Sequence, residues 1–95
     1  MFARAATYEV PVDRIGEARD AFESAIAHIR DSPGLAEALL LVGTESGRVL
    51  TITFWEDHAA VTASRVSASR LRSEAAAAVG GHVVTVEEYE VAVSG

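Results

Sequence analysis

The chain has 95 residues, which fits a single domain, and 49% of them are apolar, enough to build a core. Its formal net charge of −6 argues against nucleic acid, which selects basic surfaces, and against an anionic membrane surface. The absence of cysteine excludes disulfides, thiol nucleophiles and Cys-ligated metals. With no signal-like start and no apolar run of about 20 residues, one cytoplasmic domain over residues 1–95 is predicted.

The first half of the chain predicts a strand, a helix and a second strand. Residues Phe2–Val10 carry β-forming side chains, and the proline that follows cannot donate to a strand ladder. Apolar residues then recur at steps of three and four, which predicts an amphipathic helix over residues 14–30 with Asp13 as its N-cap. A Ser-Pro-Gly turn ends this helix, and Leu35–Val42 follows as an apolar strand. The apolar stripe of the helix consists of Ile15, Ala18, Phe22, Ile26 and Ile29.

The second half predicts a hairpin, a long helix and a last strand. A loop with two glycines over residues 43–47 joins the second strand to Arg48–Trp55, which is again rich in β-forming residues. Asp57 can then accept backbone N–H bonds as the N-cap of a helix over residues 57–79. Several serines weaken the middle of that helix, which permits a break or a 3₁₀ stretch there. Two glycines end the helix, and His82–Val93 is a β-branched fourth strand.

The resulting element order is β-α-β-β-α-β. Right-handed crossovers turn this order into a four-stranded antiparallel sheet with both helices on one face, the ferredoxin-like plan of the α+β class. A sheet that is covered on one side normally carries polar residues on the other. The second and third strands instead place apolar residues on both faces, in Leu39–Val42 and Val49–Trp55. We therefore expect a second copy of the chain to cover the open sheet face, giving an isologous homodimer.

A set of short stretches extends over almost the whole chain. Pro33-Gly34-Leu35 opens the second strand, a hairpin spans residues 41–48, Thr53–Asp57 leads into the second helix, and Val86–Val91 lies near the end. In these stretches the chain resembles the dimeric α/β-barrel superfamily, in particular the antibiotic-biosynthesis-monooxygenase-like (ABM) domains. The resemblance implies two ferredoxin-like units packed sheet to sheet, each with a cleft between its sheet and its helices. Members include cofactor-independent quinone-forming monooxygenases, haem-degrading enzymes and small proteins without an assigned activity.

The resemblance also suggests which residues face the cleft. In quinone-forming members a Trp before the second helix, which corresponds to Trp55, is implicated in holding a polycyclic phenol beside an Asn, a Tyr and an Arg. This chain contains no Asn. Haem-degrading members use an Asn together with a Trp and a His further along the second helix, where this chain carries serines and Glu74. Haem binding is therefore ranked last.

Trp55 and His58 are the catalytic candidates. Trp55 can stack on an aromatic ligand and donate its indole N–H, or it only packs the junction between the sheet and the second helix. His58 can act as a general base, because the positive end of the helix dipole favours its neutral form, or it is a surface residue without a role.

Five further residues are candidates for substrate binding. Ser64 interrupts an apolar helix face, or bonds back to its own helix. Arg65 and Arg72 flank that face and can attract an anionic group, or extend over the edge of the core. Tyr8 and Tyr89 lie on strands expected to be adjacent, and each can donate to a ligand oxygen or only pack. The three scattered histidines form no metal-ligand pattern, so neither a metal nor a cofactor is predicted.

Two classes of function stay open. The first is a cofactor-independent monooxygenase, in which the anion of an aromatic, phenol-like substrate reacts with O₂ in each cleft. Trp55 would stack on this substrate, His58 or a tyrosine would take the phenolic proton, and an arginine would favour the anion. The second is a non-catalytic small-ligand-binding or interaction module of the same fold.

Overall fold

The computed structural model describes residues 1–95 and contains four strands, two long helices and one short 3₁₀ turn. In chain order the elements are β1 (Phe2–Glu9), the 3₁₀ turn (Val12–Arg14), α1 (Ile15–Ile29), β2 (Leu35–Val42), β3 (Arg48–Trp55), α2 (His58–Ala78) and β4 (His82–Glu90). The sheet has the strand order β2-β3-β1-β4, and every neighbouring pair is antiparallel. The predicted ferredoxin-like fold is confirmed. Neither helix is both long and apolar enough to cross a membrane.

The start of α1 differs from the prediction. Asp13 does not cap this helix, because it lies within the 3₁₀ turn. The turn is closed by a hydrogen bond from the Arg14 backbone N–H to the Pro11 carbonyl, at 2.9 Å. Arg14 therefore takes the N-cap position of α1, and it makes no side-chain capping bond.

Two further differences follow from tertiary contacts. The helix α2 is continuous despite its serines, because its inner face is buried against the sheet and the other helix at Val61, Ala68 and Ala75. Packing of this kind outweighs weak helix propensity. Strand β4 ends at Glu90 instead of continuing to residue 93. Its partner β1 is exhausted there, because the next backbone hydrogen bond already reaches the Met1 carbonyl.

The core lies between the sheet and the two helices. It uses one alternation of β1 and β3, the inner faces of both helices and the chain around residue 79. The nine core residues are Ala6, Tyr8, Val10, Ala18, Phe22, Val49, Ala75, Ala76 and Val79. Most of them are small, so the two large rings of Tyr8 and Phe22 fill much of the space. These rings pack in a tilted arrangement with centroids 4.4 Å apart.

The opposite face of the sheet is apolar as well. The strand register places five large apolar side chains on this open face: Leu39, Leu41, Leu50, Ile52 and Phe54. Leu39 is 38% exposed and Leu41 is 46% exposed. The two-faced apolar pattern seen in the sequence is thus present in the structure, while pairing with a second chain stays a prediction.

A buried arginine ties the sheet to α2. Arg4 of β1 is only 3% exposed, and its Nε and Nη2 both donate to Glu88 of β4, at 3.3 and 3.1 Å. Nη2 also donates to the Val61 carbonyl and to the Ser64 hydroxyl, both on α2, at 3.0 and 3.1 Å. Glu88 in turn accepts from Arg65 of α2, at 2.6 and 3.2 Å. One ion-pair network therefore joins β1, β4 and α2.

The predicted cap of α2 is present and can be tested. The Asp57 carboxylate accepts the Ala60 backbone N–H at 2.8 Å. Asp57→Ala leaves that N–H without its partner, so we expect it to lower the free energy of unfolding by about 1 kcal/mol. In a domain of this size that corresponds to a fall in Tm of about 4–8 °C, measured by circular dichroism. Asp31→Ala, at an exposed turn residue, is the control and should not change Tm.

The Arg4–Glu88–Arg65 network predicts a pH-dependent stability. The hydrogen bonds from Arg65, supported by Arg4, hold the pKa of Glu88 below its usual value of 4.5. A lowered pKa in the folded state means that the stabilisation is complete above pH 4.5 and is lost as the pH falls through the lowered pKa. Glu88→Gln should therefore cost about 1–3 kcal/mol at pH 7, because Arg4 is left buried without a carboxylate.

The measurement is chemical denaturation of the wild type and Glu88→Gln at several pH values. The difference between the two should shrink as the pH drops below 4.5. Glu90→Gln, at an exposed residue of the same strand, is the matched control and should have no effect at neutral pH. A Glu88→Gln effect that stays constant from neutral to acid pH would show that the ionised pair is not the source of the stabilisation.

Candidate functional site

A small pocket opens between the sheet and both helices. Its volume is about 40 Å³, which is room for about three water molecules. The floor is formed by β1 and β3, and the walls by the facing sides of α1 and α2. The residues that line it are Arg4, Tyr8, Phe22, Ala25, Ile26, Ile29, Thr51, Thr53, Ala68, Leu71 and Arg72. The walls are largely apolar, so the few polar groups decide what the pocket can bind.

The floor of the pocket presents three hydroxyl groups. Tyr8 and Thr51 share a hydrogen bond of 2.8 Å, in which either hydroxyl can be the donor. Thr53 accepts the indole N–H of Trp55 at 2.9 Å. Burial raises the pKa of Tyr8, although the Thr51 hydrogen bond and the nearby Arg72 and Arg4 charges oppose this effect. Tyr8 therefore stays protonated at neutral pH, and it can donate a hydrogen bond to a ligand oxygen.

Arg72 brings a positive charge to the pocket wall. Its side chain is half-buried, and no hydrogen bond or ion pair holds its guanidinium. Burial lowers the pKa of Arg72, and the neighbouring Tyr8 partly offsets this. Arginine nevertheless stays charged in proteins, because the pKa of its guanidinium lies far above neutral pH. The pocket thus has a second guanidinium in addition to Arg4.

Of the seven residues singled out from the sequence, Tyr8 and Arg72 meet at this pocket. Trp55 lies behind it: the side chain is 1% exposed, and its N–H is already bonded to Thr53. The guanidinium carbon of Arg4 lies 5.5 Å from the centre of the Trp55 ring, a cation–π contact. Ser64 does not line the pocket, and its hydroxyl accepts a hydrogen bond from Arg4.

The other three lie outside the pocket. Arg65 is at the surface, paired with Glu88. His58 is exposed, and its ring contacts Phe2 edge-on at 5.5 Å. Tyr89 lies near His58 beside a shallow surface groove, and its hydroxyl donates to Glu87. No cluster of three or more His, Cys, Asp or Glu side chains is arranged to hold a metal ion.

Sequence reasoning missed Arg4, Thr51 and Thr53. A signal for each was present, because alternate residues of a strand share a face. Arg4 is on the same alternation of β1 as Tyr8, and the two threonines are on the same alternation of β3 as Trp55. A charged residue on the buried side of a strand is unusual, and it points to an internal polar site.

Comparison with known proteins identifies the family to which the chain belongs. The family model for antibiotic biosynthesis monooxygenase matches residues 1–76. No curated protein has a significantly similar sequence. A Deinococcus radiodurans protein assigned to the antibiotic biosynthesis monooxygenases superposes with a TM-score of 0.81 at 13% identity, covering 99% of this chain and 95% of that one. SnoaB, a cofactor-independent oxygenase from Streptomyces nogalater, gives 0.77 at 17% identity, with 98% and 94% covered.

A third structure represents another branch of chemistry. MhuD, a haem degrader from Mycobacterium tuberculosis with two haems bound in its active site, superposes with a TM-score of 0.69 at 24% identity, covering 99% of this chain and 98% of that one. Identities this low show a shared fold alone. The family match spans most of the sequence and agrees with the fold. The chain belongs to the antibiotic biosynthesis monooxygenase family.

Proposed function

We propose that the protein is a small cofactor-independent monooxygenase that acts on an aromatic, phenol-like molecule in the pocket between the sheet and the helices. The observation that carries this proposal is the convergence of the Tyr8 hydroxyl with the Arg4 and Arg72 guanidiniums at one largely apolar pocket. Such a set stabilises an oxyanion in surroundings that exclude water. The fold that it shares with SnoaB, a cofactor-independent oxygenase, also supports this proposal.

The chemistry needs the substrate as its anion. The positive charges of Arg4 and Arg72 would lower the pKa of a bound phenol, and the anion can then pass electrons to O₂. One oxygen atom becomes the second oxygen of a quinone, and the other leaves as water with the two hydrogens that the phenol loses. Tyr8, which stays protonated, would donate to the substrate oxygen and not act as the base. Trp55 would serve by holding Thr53 and Arg4 in place.

The pocket has to widen for this reaction. A cavity of roughly 150 Å³ admits benzene, whereas this one has about 40 Å³. Ile26, Ile29 and Leu71 are only half-buried on the facing sides of the two helices. Rotation of these side chains would let an aromatic ring enter between α1 and α2, and the ring would then replace water against apolar walls.

A non-catalytic ligand-binding module is the second candidate, and the small pocket volume favours it. Trp55 is the only tryptophan and lies behind the pocket, so its fluorescence reports on ligands there. Phenols that change this fluorescence without oxygen uptake would support the binding module. Haem is the ligand with the least support, and a haem-binding function would require a Soret band to appear on titration.

The catalytic proposal predicts oxygen consumption that depends on Tyr8. An oxygen electrode would be used to screen phenols and naphthols for uptake, with quinone formation followed by absorbance. Tyr8→Phe should lower kcat about 100-fold, because loss of one donor to an oxyanion typically has that effect. Tyr89→Phe, at an exposed tyrosine outside the pocket, is the matched control and should retain full activity. Absence of uptake across the panel, or equal losses in the two variants, would contradict the proposal.

We also propose that two copies pair through their open sheet faces. The support is the row of apolar side chains on that face, of which Leu39 and Leu41 are well exposed in the isolated chain. Patches of this kind on soluble proteins mark interaction sites. A second copy offers the same surface, so a two-fold axis would bury both at once.

The pairing predicts a dimer that one charge can break. Light scattering should give a mass twice that of the 10.0 kDa chain. Leu41→Glu should shift this mass to the monomer, because it would bury an unpaired carboxylate in the interface. Val66→Glu introduces the same charge at an 85% exposed site on α2 and should leave the dimer intact. A wild-type monomer at all concentrations would refute the pairing.

A further inference from the structure

The charges around the pocket do not balance. Two guanidiniums line it, those of Arg4 and Arg72. The Glu88 carboxylate that pairs with Arg4 is shared with Arg65, which lies outside the pocket. No acidic residue lines the pocket itself. The whole chain carries a formal charge of −6, so a local excess of two positive charges runs against the composition. A site of this kind is built for a ligand that carries negative charge.

One guanidinium nitrogen of Arg4 makes no hydrogen bond. Nε and Nη2 face Glu88, whereas Nη1 is buried and has no hydrogen-bond partner. Glu88 and Thr53 are the register partners of Arg4 on opposite sides of β1. Arg4 lines the pocket, and Nη1 would become open to a ligand if the pocket widens as the proposed reaction requires. Buried donors without a partner are rare in folded proteins, and each needs an explanation.

Arg72 has no partner at all. Its guanidinium makes no hydrogen bond and no ion pair, although the side chain is half-buried at the same pocket. Taking a cation out of water is unfavourable, and the charge of Arg4 adds to the cost, while the charge of Glu88 offsets part of it. The fold uses Arg4 to hold α2 on the sheet, but it gives no reason for an unpaired Arg72 beside it. A ligand anion placed between them would satisfy both.

We propose that the substrate carries a carboxylate in addition to its ionisable phenol, and that this carboxylate binds between Nη1 of Arg4 and the guanidinium of Arg72. The phenol oxygen then bonds to Tyr8 and Thr51, and the two guanidinium charges still favour its anion. A carboxylate is planar and compact, so it matches a guanidinium and fits a narrow site. The two negative charges of such a ligand equal the local positive excess. This inference rests on the proposed function, since it names the substrate class of the same pocket.

The test compares two probes of nearly equal shape, 2-hydroxybenzoate and 2-hydroxybenzamide, by isothermal titration calorimetry on the intact protein. Both carry a phenol, and they differ in the charge of the second group. The acid should bind at least about tenfold more tightly than the amide, because charge-assisted hydrogen bonds are about twice as strong as neutral ones. Both titrations are carried out in sodium chloride at the same ionic strength, which screens nonspecific charge effects.

Arg72→Met is the decisive variant. It keeps an unbranched apolar stem without the charge, and it removes no hydrogen bond or ion pair of the fold, so the protein should fold with an unchanged or raised Tm. The preference for the acid should fall about tenfold, because the acid loses a charge-assisted contact that the amide does not make. Arg70→Met, at an exposed residue on the same helix, is the matched control and should keep the full preference. Equal binding of acid and amide, or an unchanged preference in Arg72→Met, would overturn the inference.

The outcome separates this inference from the proposed function. Selective binding of the acid without oxygen uptake from any phenolic acid would retain the anion site and remove the monooxygenase proposal. Oxygen uptake from neutral phenols together with equal binding of acid and amide would do the reverse.

Discussion

The buried guanidinium of Arg4 fixes how α2 sits on the sheet. Its bonds reach the strand beside it and two groups on the first turns of the helix, so a displacement of α2 would break several charge-assisted hydrogen bonds at once. Apolar contacts between small alanine side chains resist such sliding weakly, because dispersion contacts have little directional preference. The hydrogen bonds of one arginine therefore give the helix a defined position. The width of the pocket depends on that position.

The same arginine couples the tryptophan to the pocket. Arg4 lies against the Trp55 ring, and Trp55 donates to Thr53 at the pocket floor. A ligand that draws on Nη1 of Arg4 would change the electrostatic surroundings of the ring without touching it. Trp55 thus contacts the pocket only through its neighbours, and it is completely buried.

Strand and helix positions were predictable where one physical signal dominates. The bounds of β2 and β3 follow from the turn residues Pro33-Gly34 and the loop over residues 43–47 that flank them, and the start of α2 follows from Asp57. The start of α1 was not predictable from Asp13, because the proline before it favours a tight turn that competes with a side-chain cap. Candidate site residues were harder, since Tyr8 and Arg72 are 64 positions apart and only the fold brings them together. Arg4 was not predicted as a site residue, because charged residues on strands are normally exposed.

The pocket is present although larger side chains at its walls could have filled it. Ala25 and Ala68 face it from the two helices, and a larger apolar residue at either position would occupy much of the space. At about 24 cal/mol per Å³, an empty volume of about 40 Å³ costs about 1 kcal/mol of stability. The unpaired guanidinium of Arg72 adds to this cost. A small domain has little stability to spare, so retention of a cavity beside an unpaired cation supports the proposed ligand site.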